Sequence, residues 1–274
     1  MQGIKTFIPT QYKVDYLQAL LGCGFDTLDF GSFVSPKAIP QMADTADVLS
    51  RLDLSQTQTQ LLAIVANLRG AQDAVAYRAI KYIGYPFSIS ENFQMRNTHK
   101  TIDESLGVLG DILTLAQQNE VAVVTYLSMG FGNPYGDPWS PEIVASWAET
   151  LIKMGCKIIS LSDTVGAATP EVIEQLSRWL IPQFPEVEFG AHLHTAPASW
   201  RDKVDAAYRA GCRRFDGAIQ GFGGCPMAKD ELTGNMPTEK LLSYCAEQGV
   251  HHGIQMARFE SAFNQASDIF LNYH

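Results

Sequence analysis

His192-Leu193-His194 is the sharpest chemical feature of the sequence. It lies near the end of Val187–His194, an apolar run that reads as a β-strand at the seventh barrel position. Side chains at i and i+2 of a strand share a face, so both imidazoles can meet one metal ion. Alone, such a pair is more often two hydrogen-bonded structural histidines. A second feature is Gly221-Phe222-Gly223-Gly224-Cys225-Pro226, after the eighth barrel position. Gly221, Gly223 and Gly224 permit positive φ or close approach of backbone to a ligand, and a loop able to close over substrate. Cys225 stands where such a loop would present a thiol; the alternative is a tight turn around a buried, inert cysteine. Further on, Asn235 in Gly234-Asn235-Met236-Pro237 offers an amide oxygen, a ligand for hard cations, or else an ordinary turn residue. Asp163 in Ser160-Leu161-Ser162-Asp163-Thr164-Val165-Gly166, and Asp29, each stand at the mouth end of an apolar run.

These residues need a scaffold, and the sequence supplies alternation. Phe25–Phe30, Leu61–Ala66, Ile80–Phe87, Val121–Leu127, Lys157–Leu161, Val187–His194 and Arg213–Ile219 read as strands. Helical periodicity fills Ile102–Asn119, Pro141–Met154, Pro170–Ile181 and Ala198–Ala210, with Gly155 and Gly211 as C-terminal stops and a further helix starting near Thr238. Strand-helix alternation predicts one parallel sheet with right-handed crossovers and a site at the carboxyl ends of its strands. No linker or composition shift divides the chain, so residues 1–274 read as a single domain. The first element is a helix, Gln11–Leu21, with Thr10 as its expected N-cap. A barrel should open on a strand, and seven strands alone leave unpaired edges. The expectation is therefore a TIM (β/α)8 barrel lacking its first β-strand, that strand lying upstream of Met1.

With 20 basic and 29 acidic residues the formal net charge is −9, and no basic stripe appears, which argues against nucleic acid as a partner. Small anions remain possible at local basic groups or helix N-termini. Five cysteines without CxxC spacing indicate neither a disulfide framework nor a zinc ribbon, so a reducing, cytoplasmic location is expected. No run is long and apolar enough for a membrane span, and no membrane partner is expected.

Together, Gly31-Ser32-Phe33-Val34-Ser35-Pro36-Lys37, Asp163-Thr164-Val165-Gly166, the HxH pair, the glycine-cysteine loop and Gly234-Asn235 stand in the order found in 3-hydroxy-3-methylglutaryl-CoA lyases. The chain resembles that family over essentially its whole length, the glycine-cysteine loop being the most specific match. The resemblance implies cleavage of a branched hydroxyacyl-CoA thioester into acetyl-CoA and acetoacetate, with Mg²⁺ or Mn²⁺ held by His192, His194 and Asn235. It further implies acid–base work by Asp29, substrate orientation by Asp163, and proton transfer by the Cys225 thiol. Ser32 and Thr164 would contact the substrate, and homodimers are common in the family. Lys37 and Arg96 are more simply solvated charges than CoA contacts.

Three departures bear on activity. The family's first strand carries an Arg-Asp-Gly segment whose Asp binds metal and whose Arg supports the enolate; alignment places both upstream of Met1. Losing one such electrostatic group costs on the order of 10²–10³ in rate. Asp29 stands where the family has Glu, and Thr195 where it has Asp. Two alternatives stay open: a related aldolase or Claisen-type lyase acting on another hydroxyacyl-CoA or hydroxy acid, and a catalytically inactive metal-binding barrel.

Overall fold

The computed structural model describes residues 1–223 and 234–273. Seven parallel strands, β1 (Thr27–Ser32), β2 (Gln60–Ile64), β3 (Ile80–Ser88), β4 (Ala122–Ser128), β5 (Ile158–Ser162), β6 (Glu188–His192) and β7 (Arg214–Asp216), pair in chain order. The helices are α1 (Thr10–Leu21), α2 (Thr45–Arg51), α3 (Leu68–Val75), α4 (Glu91–Thr98), α5 (Ile102–Gln118), α6 (Pro141–Lys153), α7 (Pro170–Gln183), α8 (Trp200–Arg209), α9 (Thr238–Glu247) and α10 (Met256–Tyr273). All seven expected strands are present. β6 stops at His192 instead of running to His194, and β7 stops at Asp216 instead of Ile219, where a short 3₁₀ turn, Ile219–Gly221, follows.

Both faces of the sheet are apolar, as a parallel sheet requires. Leu61, Ala63, Ile83, Tyr85, Phe87, Leu127, Ile159 and Phe189 point outward into the main core shared with the helices. Leu62, Val124 and Ile158 point inward and gather with Ile64, Tyr82, Ala122 and Tyr126 in a separate cluster on the concave side. This two-sided burial explains why the strands read as near-continuous apolar runs. The helices bury one stripe each: Val144, Ala148 and Leu151 on α6, and Ile173, Leu176 and Leu180 on α7. Their first turns are fixed by sequence, since Ser140 and Thr169 cap backbone N–H groups and Pro141 and Pro170 occupy the start.

Thr10 does not cap α1. Pro9 holds that position, and the Thr10 hydroxyl donates to Asp44 Oδ2 at 2.8 Å, because a carboxylate from the α2 side competes for it. The expected Ala198 start of α8 also moves to Trp200, since residues 196–199 form a turn closed by Ser199 N–H to the Ala196 carbonyl. Gly155 and Gly211 do follow helices at φ of 107° and 103°, as expected. α10 carries no expectation from the sequence; its buried stripe is Phe259, Ala262, Ala266, Ile269 and Phe270, the two alanines allowing close approach. It packs on α1, with Tyr16 edge-on to Phe270 at 6.3 Å.

β1 and β7 are the sheet's edges, and among the described residues neither pairs with a further strand there. The sheet curls without closing, leaving the concave face open along those edges. Among the described residues, no helix is long and apolar enough to cross a membrane.

Candidate active site

The carboxyl ends of the strands gather Asp29, Tyr126, Ser160, His192 and Asp216. Register aligns Tyr126 with Ser160, Ser162 with His192, and His192 with Asp216, so side chains from neighbouring strands meet in rows across the concave face. His192 Nδ1 lies 3.1 Å from Asp216 Oδ2, and the Ser160 hydroxyl donates to the same oxygen at 3.0 Å. Burial alone would push the Asp216 carboxyl up. The His192 contact, Arg214 and Ser160 outweigh it and hold the group below the ordinary carboxylate range. A charged Asp216 accepts from Nδ1–H of His192 and directs the other ring nitrogen, Nε2, away from itself. Tyr126 lies edge-on to the His192 ring at 5.5 Å, limiting its rotation.

His194 lies beyond the end of β6, where the strand ladder no longer holds the chain. Its ring centroid is 5.6 Å from that of His192, so the spacing expected from the HxH pattern brings the imidazoles together. Residues 234–237 run extended between the segment after β6 and the turn after β7. Thr195 N–H donates to the Gly234 carbonyl, Met236 N–H to Leu193, Asn235 N–H to Gly221 and Ala218 N–H to Met236. His194 and Asn235 face each other as an antiparallel bridge, so two residues far apart in sequence become adjacent. The Asn235 amide Nδ2 donates to the Phe222 carbonyl at 3.0 Å, which commits the nitrogen and leaves Oδ1 as the acceptor end.

Gly223 explains one glycine of the loop. Its φ is +102°, and an added Cβ would stand 2.7 Å from Asn235 Nδ2. Gly223→Ala is therefore expected to cost about 1–3 kcal/mol in backbone strain and to displace the Asn235 amide. Urea unfolding and Mn²⁺ titration check it; unchanged values in both would remove Asn235 from the site. Upstream, Gln220 adopts φ +60°, its side chain bonding the Phe263 carbonyl and Ser267 of α10, while Phe222 stacks on Phe270 at 4.1 Å. Gly224 and Cys225 lie outside the described residues.

Asp163, Ser32 and Thr164 sit differently. Asp163 is 1% exposed; Oδ2 takes the Lys203 ammonium at 2.7 Å and Oδ1 takes Ala168 N–H at 2.9 Å. Burial pushes its carboxyl up and Lys203 opposes that shift. Ser32 Oγ accepts Val34 N–H, and Thr164 Oγ1 accepts Met129 N–H, both side chains being buried. Asp29 lies on the open edge of β1, accessible to solvent. The surrounding protein mass nevertheless desolvates it and pushes its pKa up to about 7, with Asp216 adding to the rise and the Met1 α-ammonium and His192 opposing it. Lys37 is exposed, and Arg96 lies 4.8 Å over the Tyr135 ring.

Sequence reading did not single out Asp216, Tyr126, Ser160 or Lys203. The signal for Asp216 was an acid followed by Gly217 at the mouth end of a strand, obscured because the strand was read through to Ile219.

A family model described as HMGL-like matches residues 1–265. The chain belongs to the HMGL-like family. The mitochondrial hydroxymethylglutaryl-CoA lyase of Mus musculus is 31% identical over 96% of this chain and 80% of its own length. A 3-hydroxy-3-isohexenylglutaryl-CoA/hydroxy-methylglutaryl-CoA lyase of Pseudomonas aeruginosa is 32% identical over 93% of this chain and 84% of its own. Among solved structures, an HMG-CoA lyase from Acinetobacter baumannii, in complex with coenzyme A and 3-methylmalate, superposes with a TM-score of 0.90 at 30% identity. That match covers 98% of this chain and 87% of the other. The HMGL-like assignment agrees with the order of motifs in the sequence and identifies the curled sheet as a TIM barrel's.

Two imidazoles with an amide oxygen beside them form a mixed nitrogen and oxygen donor set that can take a divalent cation, without selecting which one. Among the described residues no three His, Cys, Asp or Glu side chains cluster as a metal site.

Proposed function

We propose that the chain is a carbon–carbon lyase cleaving 3-hydroxy-3-methylglutaryl-CoA to acetyl-CoA and acetoacetate. The observation that carries this is the juxtaposition of His192, His194 and Asn235, backed by Asp216, at the strand mouth of an HMGL-like chain. These three residues would hold Mg²⁺ or Mn²⁺, which when bound supplies Lewis-acid polarisation of substrate oxygens.

Asp29, whose pKa lies near neutrality, accepts the proton of the tertiary hydroxyl. The carbon–carbon bond then breaks: the hydroxyl-bearing carbon becomes the ketone of acetoacetate, and the bond's electron pair passes to the thioester fragment as an enolate. Cys225 is assigned the proton that converts this enolate to acetyl-CoA. Asp163, engaged with Lys203, acts by shaping the mouth. The chain works as a single domain with an acyl-CoA thioester as substrate, without nucleic acid or membrane. Free thiols at Cys23, Cys156, Cys212 and Cys245 fit a reducing compartment, of which the cytoplasm is the one proposed. A homodimer is proposed from the family resemblance alone.

A second reading is favoured by the Pseudomonas relative, whose name includes a longer branched substrate: cleavage of another 3-hydroxyglutaryl-type thioester. The deciding experiment measures acetoacetate release from 3-hydroxy-3-methylglutaryl-CoA with added Mg²⁺ or Mn²⁺. Turnover supports the first reading; inactivity there with turnover of longer-chain analogues supports the second, and inactivity on all of them overturns both.

A further inference from the structure

Beneath the site lies a lysine that the reaction does not use. Lys203 on α8 is 4% exposed, and its ammonium donates to Asp163 Oδ2 at 2.7 Å, the His194 carbonyl at 2.9 Å and the Gly166 carbonyl at 3.2 Å. All three N–H donors are thereby matched to acceptors. Two acceptors come from the loop between β5 and α7, and the third is the backbone of the second histidine of the HxH pair.

Burying an ammonium and a carboxylate costs several kcal/mol per ion, and apolar side chains of similar volume often replace such a pair at no loss of stability. A buried pair at this position is therefore better explained by what it places than by the stability it adds. The bonds around it show what is placed. The His192 carbonyl accepts from Asp163 N–H, as the next rung of the β5–β6 ladder, and the Leu193 carbonyl accepts from Met236 N–H. His194 lies two residues past the last residue of β6, and its carbonyl accepts from Lys203. The bridge to residues 234–236 restrains the residues on either side of His194, and Lys203 adds a direct restraint on the carbonyl of His194 itself. Asp163 keeps the ammonium in place from the opposite side.

We propose that Lys203 is a positioning residue that fixes the backbone at His194, and through it the orientation of the second imidazole. The proposal rests on the reading of His194 as a cation ligand only for its effect on metal binding; the effect on the imidazole stands apart from that reading.

The test compares the wild-type chain with D163N, K203M and D163N/K203M. K203M strands the Asp163 carboxylate in the interior and can unfold the chain. The double variant carries neither buried charge and keeps the comparison available, while D163N retains the lysine's bond to His194. Two quantities are read: the ring ¹⁵N and ¹H signals of His194, which report imidazole orientation and tautomer, and Mn²⁺ affinity by titration. The expected result is a changed His194 signature and a Mn²⁺ affinity about 10–100-fold weaker in the double variant, with D163N, which keeps the lysine's bond to the His194 carbonyl but loses its counter-charge, shifted less in both. A folded double variant with the wild-type His194 signature overturns the positioning role. If the wild-type chain binds no Mn²⁺ while the His194 signature still changes, the metal reading fails and the positioning role stands.

Discussion

Asp216→Asn is expected to weaken Mg²⁺ or Mn²⁺ binding about 10–100-fold, the range found when the partner behind a ligating histidine is removed. The carboxylate contacts His192 Nδ1 at 3.1 Å and is itself held by Ser160 at 3.0 Å. With Asp216 charged, the ring carries its proton on Nδ1, so Nε2 presents a lone pair to the mouth. An asparagine can turn its NH₂ toward the ring and stabilise the opposite tautomer, with the proton on Nε2, where no cation can be bound. Even in the productive rotamer the neutral amide loses the charge that strengthens histidine as a donor. The same substitution removes a negative charge that raises the pKa of Asp29, so that group should titrate at lower pH in the variant. Isothermal titration with Mn²⁺ measures the first effect. Wild-type affinity in Asp216→Asn would show that His192 does not bind through Nε2, and the ligand set would have to be redrawn.

The contrast between His192 and Asp216 shows what the sequence could and could not reveal. The HxH pair was legible because a two-residue period is a local property of any strand, and the strand itself was marked by its apolar run. Asp216 was hidden by a non-local event. The chain leaves the sheet after Asp216 because residues 218–221 bond to 234–237, including Ala218 N–H to Met236 and Asn235 N–H to Gly221, and nothing between Arg213 and Ile219 announces that pairing. Lys203 left a faint trace: with Val204, Ala206 and Ala207 it lies on the buried face of α8, an unusual place for an ammonium. A charged residue on the apolar stripe of a helix asks for a partner, but the sequence cannot say that the partner is Asp163. Ser32 and Thr164 were expected to touch substrate through family resemblance; in the fold their hydroxyls accept backbone N–H groups of Val34 and Met129. The open sheet edges followed from counting strands, since seven elements fall one short of an eight-stranded barrel.

Asp29→Asn is expected to lower the maximal rate by about 10²–10⁴, the usual contribution of a positioned general base. Its diagnostic effect is on the pH profile. Partial desolvation and the Asp216 charge raise the wild-type pKa toward about 7, against 3.8 for an unperturbed aspartate, the solvent at the open edge limiting the rise. Only the carboxylate form can take the hydroxyl proton, so the wild-type rate should rise through pH 7 and level off above it. The variant should lack that limb at its residual rate. Stability must move in the opposite sense. Between pH 3.8 and about 7 the folded chain binds more protons at Asp29 than the unfolded chain does, so this group's contribution to stability is present below that window and is lost as pH rises through it. Asparagine carries no such penalty. The variant should therefore melt close to wild type at acid pH and above it at pH 8, by an amount reduced by the solvent that reaches Asp29 along the open edge of β1. A residue that merely supported the fold would lose stability without removing the kinetic limb. A limb that survives in Asp29→Asn would transfer the base to another group, whereas loss of the limb with gain of alkaline stability is the combination that only a desolvated base at this edge produces.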